Sequence, residues 1–199
     1  MKKFFILIVS MLTLVGLSYL TLFIISNIYS PQADHVPFLN SDRVINQKIE
    51  SYRPIFKKYA RLNGLENDTD LLMAMAMQES KGNSVDVMQA SESQGLPKDS
   101  IKSPEESIRA GTKYFRKSLD RAGGDTRLAL QSYNFGIGFS DYVKAHGGKY
   151  TPALAKRFSQ LKAEQLGWTT YGDPDYVSHV LRYYRNEQEK QAIAKKEAP

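Results

Sequence analysis

The sequence predicts a mainly α protein, with one helical domain of about 150 residues behind a single N-terminal transmembrane helix. Three observations carry this reading. Residues 4–28 form a long uncharged apolar run, helix start signals recur from Asp42 onward, and no stretch alternates apolar and polar residues over a useful length.

The apolar run follows Lys2 and Lys3 and is interrupted only by small or weakly polar residues. A helix of that length crosses a hydrocarbon core of about 30 Å at about 1.5 Å per residue. A cleaved leader has a shorter apolar core of about 7–15 residues and a small-residue cleavage site. Ser26-Asn27-Ile28-Tyr29-Ser30 makes a poor one. The expectation is an uncleaved signal anchor over residues 1–29. Lys2 and Lys3 precede the span and the next Lys or Arg is Arg43, so the positive-inside bias sets the N-terminus in the cytoplasm and the rest outside. Residues 30–41, with Pro31 and Pro37, read as a linker.

The helical domain is expected over residues 42–187. Its first helix, 42–62, carries apolar residues near a 3.6 period, with Pro54 bending or dividing it. Asp68 or Thr69 caps a second helix over 70–80, ending near Gly82. Ser103-Pro104-Glu105-Glu106 is a capping box that opens a helix to about Ala122, stopped by Gly123-Gly124. Asp125 caps a helix over 126–134. Thr151-Pro152 opens another through Gln165, and Asp173-Pro174-Asp175 opens the last, through Lys190. Residues 83–101 read as loops or a small hairpin. The charged tail, residues 188–199, lacks an apolar stripe and reads as frayed.

Composition narrows the chemistry. With no cysteine there are no disulfides, thiolate metal sites or Cys nucleophiles. The three histidines, His35, His146 and His179, are not at metal-ligand spacing, so a zinc enzyme is not expected. Without Lys2 and Lys3, 25 basic residues face 21 acidic ones, a net of +4. That mild excess suits an anionic envelope surface but carries no nucleic-acid-binding pattern, so nucleic acid is not an expected partner. No Gly-x-Ser-x-Gly is present, and Gly147-Gly148-Lys149-Tyr150 lacks the rest of a phosphate loop.

The candidate chemistry starts at Leu71-Leu72-Met73-Ala74-Met75-Ala76-Met77, a helix apolar on every face and therefore buried all round. Glu79 closes it, four residues after Met75 on a face shared with buried groups. A desolvated carboxyl has a raised pKa, as a general acid near neutral pH requires. Position alone leaves open a plain polar helix end turning into solvent. Asp86 lies seven residues on. A second carboxylate beside an elevated acid is the arrangement of glycoside hydrolysis, although Asp is also an ordinary turn residue. Tyr133 and Asn134, before Gly136, offer a stacking face and an amide fork for sugar rings, or simply a helix end with Gly136 left-handed.

Four motifs occur in order: Gln78-Glu79-Ser80, Asp86-Val87-Met88-Gln89-Ala90-Ser91-Glu92-Ser93, Gly111-Thr112-Lys113-Tyr114 and Ala129-Leu130-Gln131-Ser132-Tyr133-Asn134-Phe135-Gly136. Together they resemble the lysozyme-like superfamily of goose-type lysozymes and lytic transglycosylases, more narrowly the CwlT-like lysozyme domain of Gram-positive bacteria. The resemblance implies a lysozyme-like helical fold and cleavage of the β-1,4 bond between N-acetylmuramic acid and N-acetylglucosamine in peptidoglycan. It implies Glu79 as the catalytic acid and Asp86 as the second carboxylate. Ser80, Gln89, Tyr133 and Asn134 match positions lining the glycan cleft, and Tyr176 and Tyr183 match a segment that closes it; tyrosines at helical spacing are also ordinary core residues. Transglycosylases usually carry Gly-Leu where this chain has Asp86-Val87, which favours the muramidase branch. Such cleavage requires no metal or organic cofactor. The expected partners are peptidoglycan glycan strands, the membrane through the N-terminal helix, and cell-division proteins. The rival readings are a lytic transglycosylase and a weakly active glycan-binding scaffold of the division machinery.

Overall fold

A computed structural model describes residues 44–197; the expected transmembrane helix and linker lie outside the described residues. Among the described residues eight α-helices follow one another: α1 Gln47–Ser51, α2 Arg53–Leu62, α3 Thr69–Glu79, α4 Pro104–Arg121, α5 Thr126–Phe135, α6 Gly138–Ala145, α7 Pro152–Leu166 and α8 Tyr176–Glu197. There is no strand among the described residues. None of the described helices is long and apolar enough to cross a membrane.

Pro54 and three of the expected caps act as the sequence predicts, while the first helix starts at Gln47 with Asn46 as its cap rather than at Asp42. Pro54 divides the first helical stretch, taking the first turn of α2, where its missing N–H costs nothing. Ser103 accepts from the Glu106 N–H, Asp125 from the Arg127 and Leu128 N–H groups, and Thr151 from the Leu154 N–H. Each satisfies a donor that the first helical turn leaves free. At α3 the outcome differs. Asp68 makes no side-chain cap, because a short 3-10 turn, Glu66–Asp68, runs straight into the helix.

Residues 83–101 form loops with one 3-10 turn, Glu92–Gln94, rather than a hairpin. The helix α6 was not visible in the sequence, since it begins on Gly138 and Ile137 supplies no polar cap. Gly136, between α5 and α6, has φ 86° and ψ 153°. That is not the left-handed helical conformation expected there but an extended one with positive φ, essentially open to glycine alone. The last helix runs to Glu197, past Lys190 and through the tail expected to fray. The tail's Glu, Gln, Lys and Ala residues are good helix formers, and no Gly or Pro interrupts them before Pro199.

The core is built around α3. Leu71 through Met77 are each at most 3% exposed, so this helix is enclosed on every side. It packs against α8, α2 and α1, while α4 lies against α2 and α5. Burial of each leucine or methionine contributes about 1.5–3 kcal/mol. A second cluster, with Phe135, Phe139 and Phe158 at its centre, joins α5, α6 and α7. Its rings meet at tilted and edge-to-face angles with centroids 5.1–5.4 Å apart. At the far end of α3, Asn46 Nδ2 donates to the Lys81 carbonyl at 2.8 Å. Gly82 (φ 79°) lets that turn press on α1, where a Cβ would sit 2.8 Å from Lys48 Cγ.

Candidate active site

Glu79 stands on the last turn of the buried helix α3. The apolar residues before it leave its side chain few ways out, and it stays half-buried at the edge of an open groove. From α8, Tyr176 donates its hydroxyl to Glu79 Oε1 at 2.5 Å. Burial is the main reason the Glu79 carboxyl rises from an ordinary 4.5 to about 7; the Tyr176 hydrogen bond opposes it, and the charges of Asp86 and Asp173 add to it. Tyr176 is itself buried, which pushes its phenol well above the usual value and keeps it a donor. Near neutral pH Glu79 therefore holds a proton for a substantial part of the time, as a general acid must.

Asp86 sits close behind, but in another setting. It is 1% exposed. Its Oδ1 accepts from Ala90 N at 2.8 Å and Ser107 Oγ at 2.6 Å, and its Oδ2 from Ser91 N at 3.0 Å and Ser91 Oγ at 2.5 Å. Burial by itself raises a carboxyl's pKa; here the four donors outweigh it and hold Asp86 below the usual carboxylate range. Asp86 thus organises the loop over residues 86–91 as a buried anion and is not among the residues that line the groove. Ser107 also accepts from Met88 N at 2.9 Å, fastening the same loop to α4.

The groove has a volume of about 500 Å³, enough for sugar rings. Glu79, Ser80 and Gln89 line it from the expected set. Ser80 Oγ donates to the Val87 carbonyl at 2.8 Å, and Gln89 takes a left-handed backbone, φ 48°. The remaining expected residues do not line the groove and lie behind it or in the core. Tyr133 is 8% exposed; its hydroxyl donates to the Met88 carbonyl at 2.9 Å, and its ring lies 5.3 Å from that of Tyr114. Asn134 Oδ1 accepts from Asp173 N at 2.7 Å, which pins the loop leading to Tyr176. Tyr183 is 1% exposed, within the main core, and does not reach the groove.

Asn83, Ser84, Lys98 and Asp99 also line the groove and were not singled out in the sequence. They lie in the irregular stretch between α3 and α4, where no periodicity tells a ligand-facing residue from any other loop residue. Asp173, whose charge acts on Glu79, was read only as a helix start; its Oδ2 lies 2.6 Å from His179 Nδ1. Among the described residues no cluster of His, Asp and Glu is suited to a metal ion.

A family model described as lysozyme-like matches residues 46–194. The chain belongs to the lysozyme-like family. Among its relatives, a bifunctional muramidase/DL-endopeptidase of Bacillus subtilis, CwlT, is 55% identical over 141 residues, 71% of this chain and 43% of that protein. Pneumococcal vaccine antigen A of Streptococcus pneumoniae is 30% identical over 149 residues, covering 70% of this chain and 73% of its own. The crystal structure of an NLP/P60-family protein from Staphylococcus aureus superposes with a TM-score of 0.66 at 37% identity, covering 71% of this chain and 54% of that one. This lysozyme-like chain thus spans less than half the length of CwlT and about half of the staphylococcal protein. The segment holding Glu79, Asp86 and the groove lies wholly inside the family match.

Proposed function

We propose that this lysozyme-like protein is a peptidoglycan hydrolase that cleaves the β-1,4 bond between N-acetylmuramic acid and N-acetylglucosamine. The observation that carries the proposal is the Glu79 carboxyl, raised to about 7 at the edge of a groove sized for sugar. Glu79 protonates the leaving glycosidic oxygen as the bond breaks, and positive charge develops on the anomeric carbon. Ser80 and Gln89 contact the glycan. Tyr133, Asn134 and Tyr176 act by fixing Glu79, the loop over residues 86–91 and the loop before α8, while Tyr183 acts only through the core on the same helix as Tyr176. Asp86 contributes fixed negative charge near the acid, which favours the protonated form of Glu79.

The name of CwlT as a muramidase supports this reading. The apolar segment at residues 4–28 and a membrane-protein relative of Bacillus subtilis, YocA, 35% identical over 130 residues, support an extracellular domain tethered to the membrane. The short linker then keeps the enzyme near the membrane-proximal wall, where division proteins work. Mass spectrometry of digested peptidoglycan tests the reaction. Muropeptides ending in reducing N-acetylmuramic acid are expected; 1,6-anhydro ends mark a transglycosylase instead, and intact glycan strands refute both.

A further inference from the structure

Gln131, on α5, is fully buried, yet only one end of its amide is used. Its Nε2 donates to the Asp173 carbonyl at 2.8 Å, while its Oε1 has no hydrogen-bond partner among the described residues. An interior polar oxygen left unpaired works against stability. The Asp173 carbonyl does not depend on Gln131, since it also accepts from Tyr176 N at 3.1 Å. Stability therefore gives no account of a glutamine here; what the side chain supplies is a grip on Asp173. Asn134, one helical turn on, adds another, its Oδ1 accepting from Asp173 N at 2.7 Å. Gly172 (φ 58°) lets the chain come this close, for a Cβ there would sit 2.7 Å from Asn134 Oδ1 and Phe135 Cδ1. The Asp173 carboxylate closes the turn from its own side. Its Oδ1 accepts from Asp175 N at 3.0 Å, and its Oδ2 accepts the N–H of His179 Nδ1 at 2.6 Å. Tyr176 leaves this turn as the first residue of α8 and donates to Glu79 Oε1 at 2.5 Å.

We propose that Asp173 is a positioning residue for the Glu79 acid: gripped by Gln131 and Asn134 and tied to His179, it fixes the turn from which Tyr176 reaches Glu79 and keeps a negative charge near that carboxyl. The assignment rests on the glycosidase reading of Glu79. The two effects on the acid have opposite signs. Through Tyr176 the turn supports a hydrogen bond that stabilises the charged form of Glu79, whereas the charge of Asp173 favours the protonated form. The other titratable or charged groups around Glu79 are Asp86 and Tyr133, Lys98 and Asp99 along the groove, and Arg182 of α8, which donates to the neighbouring Gln78 at 3.3 Å. None of these holds the Asp173 turn; Gln131, Asn134 and His179 do.

The test uses the full-length chain with Asp173→Asn, Gln131→Met and Glu79→Gln, assayed on purified peptidoglycan. Asn keeps the shape of Asp173 and an oxygen for Asp175 N, so the turn should stay while the charge goes. The alkaline limb of kcat/KM should then move toward acid by several tenths of a pH unit to about one, opposite to the shift that losing the Tyr176 bond produces. Met matches Gln in length and lacks its unpaired oxygen. In Gln131→Met, Tm should hold or rise while kcat falls about 10-fold with KM little changed, as the turn beneath Tyr176 loosens. An alkaline limb that stays put or moves upward in Asp173→Asn overturns the proposal. So does wild-type kcat in Gln131→Met, or a kcat lost only in step with Tm, which marks a merely structural glutamine. Should Asp173→Asn not fold, Gln131→Met, which leaves every atom of Asp173 in place, decides alone. With Glu79→Gln inactive, these failures leave the glycosidase reading standing; full activity in Glu79→Gln overturns that reading and this assignment with it.

Discussion

The hydroxyl of Tyr176 donates to Glu79 Oε1 at 2.5 Å, joining the first turn of α8 to the last turn of α3 across 97 residues of sequence. Those two helices pack extensively, so the bond links a core contact to the acid. It stabilises the charged form of Glu79 and so opposes the burial that raises its pKa. Tyr176→Phe should therefore move the alkaline limb of the kcat/KM profile further upward from about 7, by several tenths of a pH unit to about one. An alkaline limb that stays put or moves toward acid contradicts this role for Tyr176.

Glu79 should also cost stability. Its folded-state pKa of about 7 exceeds its ordinary 4.5, so the native state keeps a proton that the unfolded chain releases between those values. The favourable contribution is complete below pH 4.5 and is lost as pH rises through 7. Glu79→Gln should then be more stable than wild type at pH 8 by about 1–3 kcal/mol, allowing for water in the groove, and equal to it near pH 4. Denaturant titrations at the two pH values check the sign; equal stabilities at pH 8 contradict it.

Ser107 serves two buried partners, donating to Asp86 and accepting from Met88 N. Ser107→Ala should lower stability by about 2–4 kcal/mol, because both groups lose their partner in the interior. The anion of Asp86, held below the usual carboxylate range, stabilises the fold above about pH 4 and ceases to as acid protonates it. With one donor gone, the acid-side fall in stability should be shallower in Ser107→Ala. A fall as steep as that of wild type argues against Asp86 as the anchor of this loop.

Gly111, in α4, is the point of contact between that helix, Met88 and Tyr133. A Cβ there would sit 2.7 Å from Met88 Cβ and Sδ and 2.9 Å from Tyr133 Oη. Gly111→Ala should cost about 1–3 kcal/mol despite the better helix propensity of alanine. Activity should fall further than stability explains, since the loop with Gln89 is displaced. Full stability and activity in this variant would mean the loop yields freely.

Much of this architecture is legible in the chain because its signals are local. The Ser103 and Asp125 caps and the Pro54 break each depend on a few adjacent residues. The all-apolar helix that presents Glu79 is visible for the same reason. What the sequence hid depends on contacts over distance. Asp86 lies seven positions from Glu79 as any second carboxylate might, but one of the four donors that hold it as a buried anion is Ser107, 21 residues away on α4. Asp99 looks like an ordinary turn residue, and only the closure of its loop brings it to the groove. Nothing periodic marks α6, whose burial comes from Phe139 and Val143 joining the second aromatic cluster.

The most direct measurement is the release of soluble muropeptides from purified peptidoglycan by wild type and by Glu79→Gln, each first shown to be folded. Gln keeps the size and the polar contact while removing the titratable proton. Release by the wild type and none by the variant is the predicted result. Undiminished release by a folded Glu79→Gln protein would contradict the account at its centre.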